Sequence, residues 1–359
     1  MRDPGRAIAS AALVVALALS VGLLAAAAPS PAAAAGQPDT IRLLPDPSAG
    51  GRAWDWSAAC PLGPRTGASC AGAGPVLGSA QLNGDEWNLG VTNPPEGDVR
   101  MSMTPPGGLT IQGELPAAPP CTAATCLAPS ANTWVCGYTN VAYGKNQCRA
   151  GTSPAGDPAL RLPVKVSALP TDLVGTTSYA SQAAQATYDI AYDMWLNPSG
   201  THDPCRTQGT VEVMLWIDYD RQAFNPSTAV ASLSIPYAVG GVAHRGTNAW
   251  SASVLNVYRS GQTSSYGGTL FLVLNARDVV PAGTVSVDVT KALSAVGRLL
   301  RQDYGWSDFA GRYWLDTIPF GMEFGPANAQ PWGDGSADFT LRLASYCLGL
   351  DATVAHPRC

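Results

Sequence analysis

Four carboxylates stand out in this sequence because each interrupts an apolar, strand-like run. They are Asp189 and Asp193 in TYDIAYDMWL, Glu212 in TVEVMLWIDY and Glu323 in IPFGMEFG. Residues 210–219 alternate: Val211, Val213, Leu215 and Ile217 fall on one face, and Glu212, Met214 and Trp216 on the other. The first set makes a core face. The second puts a carboxyl group, a thioether and an indole in a row, which suits a cleft that holds a sugar better than plain solvent. Two carboxyl groups on either side of a glycosidic bond can hydrolyse it. One protonates the leaving oxygen; the other attacks the sugar or activates a water. Each carboxylate also has a plainer reading. Glu212 by itself fits the exposed face of a half-buried strand, because Glu is rarely buried unpaired. Glu323 fits a strand end beside glycines, and Asp193 a strand running into the Asn197-Pro198-Ser199-Gly200 turn.

The elements that must position these groups are strands. Alternation and turn residues predict strands at 78–89, 98–103, 109–115, 134–143, 160–169, 186–196, 210–219, 229–235, 247–257, 268–276, 313–323 and 337–347. The TPPGG turn makes a hairpin of 98–103 and 109–115. Helical period occurs once: Val289, Ala292, Leu293, Val296, Leu299 and Leu300 form a stripe, with Asp288 as N-cap and Gly305 just past the end. Many strands and one late α-helix define an all-β class, a two-sheet antiparallel β-sandwich.

Composition narrows the function. Arg2 and Arg6 give a basic start, residues 7–28 carry no charge, and AAAAG ends at residue 36, the pattern of a signal peptide over 1–36. The apolar run is longer than an ordinary signal core, which leaves an uncleaved anchor as the alternative. The missing basic flank and the Ala-rich composition favour cleavage. Residues 37–73 then read as an irregular, disulfide-stapled extension, 74–348 as the main domain and 349–359 as a tail. Nine cysteines after an export signal imply disulfides. Close pairs such as Cys60/Cys70, Cys121/Cys126, Cys136/Cys148 and Cys347/Cys359 would serve as local staples, although spacing does not determine connectivity. A net charge of −5 gives no basic face for nucleic acid. His202, His244 and His356 lack ligand spacing, and there is neither a GxSxG nucleophile elbow nor a phosphate-binding glycine loop. No metal and no cofactor are expected.

The order of motifs resembles glycoside hydrolase family 12, the retaining β-1,4-endoglucanases and xyloglucanases. The match runs from Tyr192-Asp193 through Glu212-Val213-Met214-Leu215-Trp216 to Tyr313-Trp314-Leu315 and Gly321-Met322-Glu323, with the helix before the last motif. Asn83–Asn88 (NGDEWN) and GYTNVAYG resemble earlier family segments. The resemblance covers residues 74–348. It implies a jelly-roll sandwich with a concave cleft, Glu212 as nucleophile, Glu323 as general acid/base and Asp193 as the nucleophile's helper. It also implies a separation of about 5–5.5 Å between the two glutamates. Asp189 has the parity of Asp193 but lies outside the motif. Trp195, Met214 and Trp216 share faces with the carboxylates and would bind sugar. Trp87 and Trp250 resemble cleft tryptophans of the family. The sequence departs from the pattern after Glu323, where Phe324-Gly325 leads into PANAQPWGDG, and at Cys205 in the loop before Glu212. The expectation is a secreted monomer, free of the membrane once its signal is removed, that cleaves β-glucan. Its alternatives are a xyloglucan-specific enzyme or a non-catalytic glucan-binding protein on the same fold.

Overall fold

The computed structural model describes residues 40–44, 54–59, 73–77, 80–83, 98–103, 108–115, 137–144, 157–183, 186–200, 209–220, 229–259, 268–326 and 337–359, all in one unit, Pro38–Cys359. The strands in chain order are β1 (Thr40–Leu44), β2 (Trp54–Ala59), β3 (Ala73–Leu77), β4 (Ala80–Asn83), β5 (Asp98–Met103) and β6 (Leu109–Leu115). There follow β7 (Gly137–Gly144), β8 (Val164–Lys165), β9 (Leu173–Ala183), β10 (Ala186–Asn197), β11 (Val211–Asp220), β12 (Ala231–Leu233) and β13 (Tyr237–Val239). The last are β14 (Val242–His244), β15 (Trp250–Leu255), β16 (Gly268–Leu274), β17 (Ala282–Asp288), β18 (Trp314–Pro326) and β19 (Ala337–Leu350). Two helices, α1 (Val289–Tyr304) and the four-residue α2 (Phe309–Arg312), lie between β17 and β18.

Among the described residues these strands make two sheets. The first runs β14–β13–β17–β9–β19–β6–β5–β2, with β1 also paired to β19. The second runs β12–β15–β16–β11–β10–β18–β7–β4–β3, with β8 also paired to β18. The sandwich is as expected, but its pairing is not wholly antiparallel: β11 and β16 run parallel. Antiparallel neighbours can be joined by a hairpin, whereas a parallel neighbour needs a long connection, and here the chain forms β12 to β15 before returning beside β11.

The core lies between the sheets. From β11 it receives Val211, Val213, Leu215 and Ile217, each fully buried, on the face the alternation predicts. Tyr192 of β10 crosses this layer. Its ring packs edge-on to Phe320 at 4.8 Å between centroids, and its hydroxyl lies 2.9 Å from Thr177 Oγ1 on β9. Tyr346 of β19 makes the opposite crossing, donating to the Ile318 carbonyl at 2.7 Å. A buried tyrosine hydroxyl must find a partner, so these bonds fix how β10 and β18 sit on the first sheet. Gly175 permits the approach, since a Cβ there would stand 2.9 Å from the Tyr192 ring.

The helix matches its sequence signals. Asp288 Oδ1 accepts from Lys291 N–H at 2.8 Å, Gly305 ends α1 with φ 70°, and the six apolar positions of the stripe are buried.

Further features differ from expectation. Residues 37–73 are not wholly irregular: β1 and β2 lie in this stretch, and Ile41, Leu43 and Leu44 join the core. The predicted strand at 160–169 reduces to the two residues of β8 followed by a 3-10 turn, because Pro163 offers no N–H to a ladder. Strands β9 and β17 had no strand signal. Their outer faces are small and hydroxylic, and they pair through Thr176–Ser286 at 2.9 Å and Ser178–Thr284 at 2.6 Å. The tail at 349–359 begins inside β19 and is held by a Cys347–Cys359 disulfide, one of the pairs expected. The other cysteines lie outside the described residues.

Candidate active site

Strand β10 runs between β11 and β18 and brings the four carboxylates onto one face, opposite the core. Asp189 stands directly across from Glu323 in the β10–β18 register. On the other side Asp193 pairs with Met214, and Trp195 with Glu212, so Asp193 and Glu212 are diagonal neighbours. A bulge in β11 adjoins them. Between Ile190 and Ala191 the register with β11 slips by one residue, leaving Ile217 unmatched. Beyond the slip the parity of β11 reverses, so Tyr219 falls on the carboxylate face and Asp218 turns inward to meet Tyr188 Oη at 3.3 Å and Ser181 Oγ at 3.0 Å.

This outer face is recessed. Asp189, Asp193 and Glu323 are 0%, 2% and 9% exposed although they point away from the core. A small apolar cluster of Ala191, Met214, Trp216 and Val273, with Tyr219 and Phe271, forms its floor beside Glu212. The Trp216 ring packs edge-on to Phe271 at 5.5 Å.

Each glutamate has its own aspartate. Glu212, partly buried, hydrogen-bonds Asp193 and accepts from Thr269 Oγ1 at 2.6 Å; Trp195 Nε1 donates to Asp193 Oδ2 at 3.2 Å. Glu323 hydrogen-bonds Asp189. Two carboxylates bond to each other only through a proton, so this face retains protons that solvent-exposed acids would release. Burial pushes the Glu212 carboxyl up, while the bonds from Thr269 and Asp193 oppose the rise. Burial pushes Glu323 well above the usual range, and the charge and hydrogen bond of Asp189 and the charge of Glu212 push the same way. Asp189 is also well above its usual range through burial; its bond to Glu323 opposes this, and the charges of Asp193, Glu212 and Asp218 add to it. Both glutamates are raised, but unequally: hydrogen bonds restrain the rise at Glu212, whereas every named neighbour of Glu323 adds to it.

On the far side of Glu323 its register partner is Tyr138 of β7, whose hydroxyl donates to the Ala191 carbonyl at 3.0 Å. Neither Tyr138 nor Thr269 was picked out from sequence. Both are neutral residues in predicted strands, and only alternation against Leu270 and Leu272 could have placed Thr269 on the outer face. Among the described residues no cluster of His, Cys, Asp and Glu has the arrangement to hold a metal ion.

The structure thus brings together Asp189, Asp193, Trp195, Glu212, Met214, Trp216 and Glu323. Trp250 does not join them, which corrects the sequence reading. It pairs with Leu274 on the inner face of β15, is fully buried in the core, and donates its indole N–H to the Ile235 carbonyl at 3.0 Å. The residues of β15 that share the outer face are Ser251, Ser253 and Leu255. Trp87 lies outside the described residues.

Solved structures of family 12 glycoside hydrolases share this two-sheet fold. One is the native family 12 xyloglucanase from Bacillus licheniformis, with TM-score 0.50 and 12% identity over 78% of this chain and 99% of that one. Its ligand complex matches with TM-score 0.50 and 12% identity, over 83% and 98%. Endoglucanase 3 of Trichoderma harzianum, also from family GH12, gives TM-score 0.47 and 13% identity over 83% and 98%. No family model and no curated protein matches the sequence. At these identities the likeness is one of fold.

Proposed function

We propose that this protein is a secreted glycoside hydrolase that cleaves β-1,4-glucan internally, by double displacement with retention. The observation that carries the reading is the pair of glutamates flanking β10 on one recessed face, with hydrogen bonds restraining the upward shift of Glu212 and neighbouring acids adding to that of Glu323. Glu212, its charged form favoured by Thr269 and Asp193, is the nucleophile. Its carboxylate oxygen bonds to the anomeric carbon as the glycosidic bond breaks, and Glu323 gives its proton to the departing oxygen. Glu323, now a carboxylate, takes a proton from water. The water oxygen bonds to the same carbon and releases Glu212. Trp195 and Trp216 offer apolar edges to the sugar, with Met214 buried beside them; Trp87 is proposed as a further platform on the resemblance alone. Activity rises with pH as Glu212 ionises, above the ordinary glutamate range, and falls as Glu323 ionises at still higher pH.

The test uses soluble cellulose derivatives, mixed-linkage glucan and xyloglucan. Release of reducing ends, with the β-anomer as first product by proton NMR, is the expected result; the α-anomer as first product would mean inversion. Glu212→Ala should lose on the order of 10⁴-fold in kcat. Unchanged hydrolysis by that variant would remove Glu212 from the mechanism. Binding of glucan without any hydrolysis would make the protein a glucan-binding module. Xyloglucan is a second substrate reading, favoured by the match to two structures of a xyloglucanase.

A further inference from the structure

The assigned chemistry uses Glu212, Glu323 and Asp193, and leaves one carboxyl group of the same face without a task. Asp189 is fully buried, whereas Glu323, opposite it, keeps 9% exposure. This difference separates their roles. Glu323 has an edge that a substrate can reach; Asp189 has none, so it acts on the substrate only through Glu323. We propose that Asp189 is the positioning residue of the general acid: across the β10–β18 register its carboxyl group holds the proton-bearing Glu323 in place. The proposal rests on the glycosidase reading of the site.

The neighbours of the pair support this assignment. Asp189 stands across from Glu323 on β18 and shares its face with Asp193 on its own strand and Glu212 on β11, while the charge of Asp218 reaches it from the inner side of β11. Glu323 faces Asp189, Tyr138 of β7 and, across β10, Glu212. Tyr138 directs its hydroxyl to the Ala191 carbonyl, and the side-chain hydrogen bond of Glu323 is made to Asp189. With the proton on Glu323 and Asp189 accepting, the bond aims the acid and makes its proton harder to lose to solvent. After that proton has gone to the leaving oxygen, Glu323 is a carboxylate beside Asp189. The crowding of charge then makes Glu323 a stronger base toward water. One buried aspartate thus serves both half-reactions without exchanging a proton itself. Strand β10 supplies an aspartate to each glutamate: Asp193 to the nucleophile and Asp189 to the acid.

The experiment compares the full chain with Asp189→Asn, which keeps the shape and removes the charge. With soluble glucan, kcat measured above the wild-type pH optimum should fall about tenfold or more with KM little changed, and the basic limb should move to lower pH. An aryl cellobioside whose leaving group departs unprotonated should keep its rate of glycosyl-enzyme formation. Independently of activity, the carboxyl carbon of Glu323, followed by 13C NMR, should titrate at lower pH in the variant. A Glu323 midpoint that stays where it is in the wild type would overturn the proposal. Should Asp189→Asn not fold, Glu323→Gln serves in reverse. The Asp189 resonance must then titrate differently from the wild type, and an unmoved midpoint overturns the proposal equally. If no glucan is hydrolysed by any form, the glycosidase reading fails, while the NMR midpoints still decide whether the two carboxyl groups are linked.

Discussion

Thr269 shows how one uncharged side chain sets the chemistry of a charged one. Its hydroxyl donates to Glu212 at 2.6 Å, and together with Asp193 it counters the rise that burial imposes on that carboxyl group. Thr269→Val keeps the shape and removes the donor, a loss of about 1.5–3 kcal/mol for a bond to a charged acceptor. The expected outcome is a drop of roughly 10–100-fold in kcat, with the acidic limb of the pH profile displaced upward. A pH–rate series on the two proteins checks it, and an unmoved acidic limb would mean that Thr269 only packs. The carboxylates were legible in the sequence because a charge inside an apolar strand is rare enough to be noticed. Thr269 and Tyr138 were not, because nothing in a neutral β-branched or aromatic residue distinguishes it from ordinary strand composition.

Strand β10 is the element on which the site depends, and its position is set from the core side. Tyr192 anchors it to β9 through Thr177, and the absence of a side chain at Gly175 lets the ring approach. Gly175→Ala would place a methyl group 2.9 Å from that ring, an overpacking that costs about 1–3 kcal/mol and pushes β10 toward the cleft. Thermal unfolding should show lowered stability, and kcat should fall although Gly175 touches none of the carboxylates. Fold class, helix and most strands could be read from the sequence, since alternation, caps and turns are local signals. What could not be read came from pairing. The bulge at Ile217 reverses the parity of β11, and Trp250, which has the composition of a cleft residue, turns out to be core once β15 is set against Leu274. Strand β9 was hidden because small hydroxyl residues make poor strand signals by themselves and become stable only against a matching neighbour such as β17.

At the scale of the whole molecule, the buried acids couple folding to pH. Asp189, Glu212 and Glu323 are all raised, and so is Asp288, to about 6, mainly by burial at the start of α1. A raised acid keeps its proton longer in the folded chain than in the unfolded one. Its contribution to stability is therefore complete below the unfolded value, near pH 4, and is lost as pH rises through the folded value. The melting temperature should fall from about pH 4 toward neutrality, and Asp189→Asn should flatten that slope. A melting temperature that rises over this range would show that other groups outweigh the cluster. The pairing of β1 with β19 adds a matter of timing. Thr40–Leu44 is made well before its partners at 346–349, with every other strand of the sheet between them in the chain. β19 also stands between β9 and β6, joining the two halves of the first sheet. Throughout synthesis the edges of those strands wait unpaired, and Ile41, Leu43 and Leu44 have no seat. Strand β1 is thus completed only once β19 has been made, and the growing chain must be kept from pairing with other chains until then.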